Sequence, residues 1–169
     1  MRSIFRALCL IAVLLPCPAW AVTDNFDTGT NTQKGVLDFA DASNLSFQFH
    51  LPIPATWDGG DMTISGKWFS STASTNNVVI QFQFSCVADA ETDDPSWDAD
   101  ILAVTDAGKG TTLQLNDFSG TITASTHLST CAAGEYLNVK TFRDSGHASD
   151  TFAGTLRLMP MELVYWVNQ

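Results

Sequence analysis

Positive charge is scarce in this chain. Of its 169 residues, 8 are Lys or Arg and 18 are Asp or Glu, so the formal net charge is −10. The few cations are scattered along the sequence and form no basic stripe. Nucleic-acid binding needs clustered Lys and Arg to displace counterions from phosphates. The composition therefore argues against nucleic acids and anionic lipid headgroups as partners, and it favours a protein kept in solution outside the cell by its own charge.

Residues that form catalytic and metal motifs are also few. The three histidines His50, His127 and His147 lie in separate segments without zinc-binding spacing. The sequence contains no G-x-S-x-G elbow and no phosphate-binding glycine loop. Asp144 and Ser145 share a loop with His147, but catalytic triads are assembled from distant segments. We interpret this cluster as a polar hairpin loop and predict a protein that is not an enzyme and has no catalytic residue.

Long apolar runs are missing except near the N-terminus. Arg2 and Arg6 precede an apolar run over residues 7–15, and residues 19–21 read Ala-Trp-Ala, a typical cleavage site. The run is too short to span a bilayer. We predict a cleaved signal peptide over residues 1–21 and a product that is secreted or held at the cell surface, with the periplasm as an alternative. Since both arginines leave with the leader, the charge of −10 becomes −12 on 148 residues.

The same cleavage would leave two cysteines in the product. Of the four cysteines, Cys9 and Cys17 lie in the predicted leader, which leaves Cys86 and Cys131. Export makes a disulfide between them feasible, and the alternative is two buried free thiols. Closing a loop of about 45 residues stabilises a fold by at most about 4 kcal/mol in the chain-entropy model.

The remaining chain alternates between apolar and polar residues with period two and shows no sustained helical period. We predict strands over residues 45–51, 62–70, 78–88, 101–105, 111–117, 121–125, 136–143 and 155–167, with a bulge at Met159-Pro160. About eight strands with one polar face each indicate an all-β fold, an antiparallel β-sandwich that is jelly-roll-like. We assign residues 22–35, which are polar, to a flexible N-terminal arm and residues 36–169 to a single domain.

One loop concentrates negative charge. Six carboxylates fall within twelve residues, namely Asp89, Glu91, Asp93, Asp94, Asp98 and Asp100. Calcium takes six to eight oxygen ligands, so this loop is a candidate calcium site. It lacks the spacing and the central glycine of an EF-hand, and a solvated acidic loop is the alternative. The sequence predicts no other cofactor.

Two tryptophans lie outside the predicted strands. Trp57 adjoins the turn Asp58-Gly-Gly-Asp61, and Trp97 lies inside the acidic loop. Loop tryptophans on β-sandwiches can stack on sugar rings. Equally, each ring can fold back to cap one end of the core, so both interpretations stay open.

Three segments resemble a known group of proteins. They are residues 57–64 (Trp-Asp-Gly-Gly-Asp-Met-Thr-Ile), the strand ending at Asp89 with its acidic loop, and residues 143–154 leading into the last strand. Between Trp57 and Trp166 the chain resembles small jelly-roll-like β-sandwich proteins of phage, prophage and environmental bacterial genomes. The resemblance implies a virion-associated or surface structural component without a known active site. The leader and the cysteine pair depart from that group and favour an extracellular or cell-surface role.

Together these observations predict an exported, non-enzymatic β-sandwich that is a structural or decorating subunit of an extracellular or cell-surface assembly. Its partners would be copies of itself or other surface proteins. One alternative is a carbohydrate-binding module or lectin-like protein that uses Trp57 and Trp97, with or without calcium. A second alternative is a phage-derived, virion-type structural protein.

Overall fold

The computed structural model describes residues 3–8, 24–28, 33–41, 45–91 and 96–167, and at 3–8, 24–28, 33–35 and 166 it describes the backbone alone. These residues form two antiparallel sheets of seven and four strands, which confirms the predicted all-β sandwich. The strands are β1 (Ser3–Leu8), β2 (Asp24–Thr28), β3 (Gln33–Phe39), β4 (Ser46–Pro52), β5 (Met62–Phe69), β6 (Asn77–Val87), β7 (Leu102–Ala107), β8 (Asn116–Ile122), β9 (Tyr136–Arg143), β10 (Leu156–Leu158) and β11 (Glu162–Val167). One short helix, α1 (Ala124–His127), precedes β9.

From β3 onward the strands follow a jelly-roll topology. Strands β10 and β11 are two halves of one interrupted strand, and counting them together gives eight strands from β3 onward, among them β3, which was not predicted. The first pairs with the last and the pairs are nested: β3 with β10, β4 with β9, β5 with β8, and β6 with β7. The order β3–β10/β11–β5–β8 in one sheet faces β4–β9–β6–β7 in the other.

The interruption between β10 and β11 confirms the predicted bulge. Strand β5 pairs with Leu158 before it and with Glu162 after it. Between these residues, the Met159 amide donates to the Lys67 carbonyl at 2.9 Å. Pro160 has no amide hydrogen to contribute to a ladder, and a bulge is where a strand tolerates this.

Two predicted strands, residues 111–117 and 121–125, are wrong and are replaced by the single strand β8. Leu113 has a φ of 60° and donates its amide hydrogen to the Ser70 carbonyl at 2.7 Å, so the chain turns there. After β8, residues 124–127 form α1, and the Ala124 amide bonds to the Asp61 carboxylate at 2.8 Å. Alternation over such short polar stretches cannot distinguish a strand from a turn closed by distant partners.

The N-terminal region is paired where the structure describes it. Strand β2 pairs with β3 in register from Asp24↔Leu37 to Thr28↔Gln33, inside the segment predicted as a flexible arm. Backbone pairing does not require apolar side chains, so the polar composition of the arm did not predict this hairpin. Strand β1 lies within the predicted leader. Residues 9–23, which include Cys9, Cys17 and the cleavage site, lie outside the described residues, and cleavage stays a prediction.

The core fills the space between the two sheets. Its largest fully buried side chains include Trp68, Phe39, Phe82, Phe84 and Phe152. All of these except Phe152, which lies between β9 and β10, come from inward positions of strands, as period two requires. Within the described parts of the chain, we find no helix that is long and apolar enough to cross a membrane.

The predicted disulfide is present. Cys86 at the end of β6 is bonded to Cys131 in the turn after α1, with a Cα–Cα distance of 5.3 Å and a sequence separation of 45. The Cys131 amide also donates to the Leu128 carbonyl at 3.0 Å, and Leu128 is buried. The bond therefore fastens the α1–β9 connection to a central strand of the four-stranded sheet.

Candidate functional site

One long side of the sandwich, which we call the closed side, is formed by β7 and β8. Gly120 on β8 lies beneath Leu102 and Val104 of β7, and a Cβ at this position would approach Val104 Cγ2 to 2.6 Å. The indole nitrogen of Trp68 on β5 donates to the Asp106 carboxylate on β7 at 2.6 Å. The closed side thus joins the two sheets by tight packing and a hydrogen bond.

On the opposite side, which we call the open side, β4 faces β11, while β10 is flanked there by β3 and β2. Strand β4 is an edge of the four-stranded sheet and has no Asp, Glu, Lys or Arg. Its inward residues Phe47, Phe49 and Leu51 are only half-buried, and the two phenyl rings stack at 6.0 Å. A narrow crevice lined by Phe49 and Leu51 on one wall and by Ile64 and Leu163 on the other separates the sheets here.

On the open side, β11 is paired at its outer edge with β1. The register runs from Ser3↔Val167 to Leu8↔Glu162. All six residues of β1 belong to the predicted leader. If the leader is cleaved, the outer edge of β11 loses this partner, while β10 keeps β3 beside it.

Trp57 lies in the core rather than on the surface. It is 6% exposed, its indole nitrogen donates to the Gly60 carbonyl at 3.2 Å, and its backbone bridges Val167. This placement agrees with the interpretation that the ring caps one end of the core. Its face is not available for stacking on a sugar in this conformation.

Trp97 lies over the outer face of the four-stranded sheet, away from Trp57. The Lys140 ammonium on β9 is 5.8 Å from the centroid of Trp97 and 5.5 Å from that of Phe142. Lys140, Phe142 and the exposed Tyr136 were not predicted from the sequence as surface residues of interest. The alternation within residues 136–143 contained that signal, because Tyr136, Lys140 and Phe142 share one parity.

Four of the six predicted calcium ligands are described. Glu91 accepts a hydrogen bond from the Ala88 amide at 2.9 Å, and Asp98 accepts one from the Asp100 amide at 3.1 Å. These carboxylates therefore close turns of their own loop. Asp89 is exposed, while Asp93 and Asp94 lie outside the described residues. Among the described residues, no group of three or more potential ligands is placed to hold a metal ion, and calcium binding stays a prediction.

The loop with Asp144, Ser145 and His147 folds as turns. Asp144 accepts a hydrogen bond from the Gln81 side chain at 2.8 Å. His147 Nδ1 accepts one from the Ser149 amide at 3.1 Å. The carboxylate and the imidazole thus point to different partners instead of forming a relay.

A buried ion pair anchors the segment that follows. Arg143 is 2% exposed and donates to both carboxylate oxygens of Asp150, at 2.9 and 2.7 Å. It also donates to the carbonyls of Phe152 and Gly154. Breaking a buried pair leaves an uncompensated charge, so this arginine is structural. Arg143 lies at an inward position of β9, and its partner Asp150 comes from the following loop, so the sequence alone did not predict this role.

A shallow groove of about 500 Å³ lies where the β10–β11 bulge leaves the outer face of the seven-stranded sheet. In it, Lys67 donates to and pairs with Asp117, and Lys109 lies 3.7 Å from the same carboxylate. The hydrogen bond from Lys67 is the main reason why the pKa of Asp117 is lowered, with the charges of both lysines adding to it. A carboxylate held ionised in this way is poorly suited to act as a general acid.

Comparison of the chain with protein-family models, curated proteins and solved structures gave no match. The resemblance to phage and environmental β-sandwich proteins therefore stays a prediction. A jelly roll occurs in capsid, lectin and enzyme domains alike, so the fold does not indicate the function. Evidence for the function comes from the edges and faces of the two sheets.

Proposed function

We propose that the protein is an exported, non-enzymatic structural subunit whose copies associate through the open side into an extracellular or cell-surface assembly. The observation that supports this most is the unguarded edge of β4. The backbone groups of β4 and its lack of charged side chains support the proposal, rather than a pocket.

An edge strand presents unpaired amide and carbonyl groups that can pair with another strand. Proteins that remain monomeric usually block such edges with Lys, an interior proline or a bulge. Strand β4 has none of these: it pairs residue for residue with β9, from Ser46↔Phe142 to Pro52↔Tyr136, and its one proline is the last residue. No described strand pairs with its outer edge, which is therefore suited to accept a further strand.

A second copy of the chain is the partner that fits this edge best. Antiparallel pairing of two β4 strands about a two-fold axis gives a closed, self-complementary interface. In that arrangement Gln48 and His50 of one copy lie beside the same residues of the other, and no like charges meet. Neutrality matters here because the net charge of the mature chain otherwise repels copies.

Processing would extend the same surface. Strand β11 has its outer edge covered by β1 in the full chain. Removal of the predicted leader would free this edge on the same side of the sandwich as β4. Assembly would then be favoured after export and disfavoured before it.

Sedimentation velocity on the protein recovered after export, over a range of concentrations, tests the proposal. We expect concentration-dependent oligomers in the wild type and monomers in the double variant Gln48→Lys/His50→Lys, because four ammonium groups would then meet across the interface. The matched control places two lysines on β7, at the exposed positions Ala103 and Thr105, and should associate like the wild type. A wild type that is monomeric throughout, or equal association of both double variants, would contradict the proposal.

A further inference from the structure

We propose that the outer face of the four-stranded sheet is a binding site for an extended, neutral oligosaccharide. The residues concerned are side chains of β9 and its neighbours, whereas the proposed self-association uses the backbone edge of β4. Gln48 and His50 of β4 belong to both surfaces, whereas Tyr136 and Phe142 of β9 belong to the sugar-binding face alone.

Aromatic rings mark both ends of this face. Strand β9 turns Tyr136, Asn138, Lys140 and Phe142 outward, and the ring of Tyr136 is 55% exposed. Phe142 lies six positions after Tyr136, which in a strand is a distance of about 20 Å. Aromatic faces stack on the apolar C–H faces of sugar rings. Two such rings at this separation fit several linked sugars rather than one.

Between the rings the face is polar and able both to donate and to accept hydrogen bonds. Gln48 on β4 and Gln83 on β6 lie on either side of Lys140, and His50 lies opposite Asn138. The imidazole of His50 also packs edge-on against Tyr136, with ring centroids 6.5 Å apart. Side-chain amides offer donors and acceptors together, as sugar hydroxyls require.

Trp97 adds a third ring that is held in place. The Lys140 ammonium lies between Trp97 and Phe142, within the distance of a cation–π interaction to each. This contact fixes the loop tryptophan against the sheet near Phe142. Near this end of the face, a cleft of about 300 Å³ is bounded by Ser46, Phe142 and Asp144.

The arrangement disfavours other classes of ligand. A protein interface places apolar residues at its centre and polar residues at its rim, whereas this face has rings at its ends and amides between them. Lys140 is the one Lys or Arg that faces outward among the described strand residues of this sheet, too few for a nucleic acid. The acidic net charge likewise repels carboxylated or sulfated glycans.

Isothermal titration calorimetry with cellohexaose, xylohexaose, mannohexaose, maltohexaose and an oligogalacturonate tests the inference. We expect at least one neutral hexaose to bind, and the Tyr136→Ala and Phe142→Ala variants each to weaken that binding at least about tenfold, in line with an aromatic contact in a partly desolvated site. Leu113→Ala removes an equally exposed apolar side chain from the β7–β8 turn and should bind like the wild type.

Three outcomes would overturn the inference: no binding of any neutral hexaose, unchanged affinity in both ring variants, or tighter binding of the oligogalacturonate. Thermal melts of each variant close to that of the wild type would show that a lost affinity is not lost folding. Sedimentation of the Tyr136→Ala variant separates the two proposals, since it should still associate if β4 mediates assembly.

Discussion

The closed and open sides of the sandwich join the same two sheets by different means. On the closed side, the indole of Trp68 bonds to Asp106 across the sheets and Gly120 lets β7 and β8 approach. On the open side, Phe47 and Phe49 stack on one another and stay half-exposed at an uncharged edge. If copies associate as we propose, the chain completes the closed side by itself and a partner completes the open side.

Truncating one aromatic residue on each side should give the largest contrast. Trp68 is 1% exposed, so Trp68→Ala should lower the free energy of unfolding by about 3–5 kcal/mol. Phe47→Ala should lower it by about 1–2 kcal/mol, because that side chain is only partly buried. Urea unfolding of the monomeric protein measures both values. Equal costs would show that the open side is packed as tightly as the closed side.

Removing the acceptor of the cross-sheet hydrogen bond should have the next largest effect. Asp106→Ala leaves the buried indole N–H of Trp68 without its partner, at a cost of about 1–3 kcal/mol. Asp100→Ala makes the same change of charge at an exposed position and should stay within about 0.5 kcal/mol of the wild type. If the two variants unfold at the same urea concentration, the hydrogen bond does not hold the closed side together.

Filling the space at Gly120 should be somewhat less costly. Gly120→Ala forces Val104 on β7 to move and should destabilise the fold by about 1–2 kcal/mol. Gly146→Ala is a suitable control, since the nearest atom to its added Cβ would be 3.6 Å away, an ordinary contact. The melting temperatures of the two variants are compared. An unchanged melting temperature in Gly120→Ala would show that β7 and β8 are not tightly packed at this position.

The smallest expected effect concerns the lysine pair beside Asp117. Lys67→Met should raise the pKa of Asp117 toward its ordinary value, and Lys109→Met should raise it less, because the hydrogen bond from Lys67 is the main cause of the lowering. The pair stabilises the fold above the unfolded-state pKa of the carboxyl and loses this effect as pH falls through the lower folded-state value. An NMR titration of the carboxyl carbon measures the change, and a larger shift in Lys109→Met would reverse the assignment.

Period-two alternation predicted much of the fold. It placed β4, β5, β6 and β9 within a residue or two, because a shift by one residue would expose every inward side chain. It failed over residues 111–125, where turns are closed by Ser70 and Asp61 from distant segments. The β2–β3 hairpin was missed because its pairing depends on backbone groups rather than on apolar side chains.

Much less of the candidate surfaces could be predicted. The sequence identified Trp97 and the disulfide, yet it treated Trp57 as equivalent to Trp97 although one is buried in the core and the other lies on a sheet face. That β4 is an edge, and that Tyr136 and His50 meet, depends on the pairing of β4 with β9. Pairings between strands so far apart in sequence follow from the topology, which local patterns do not encode.

Hydrogen exchange of the processed protein, measured by mass spectrometry at low and high concentration, tests the central claim most directly. If copies pair through the open side, amides of β4 (Ser46–Pro52) will exchange more slowly at high concentration, while those of β7 (Leu102–Ala107) will exchange at the same rate at both. Exchange of β4 that is independent of concentration, in a sample shown to contain oligomers, would contradict the account.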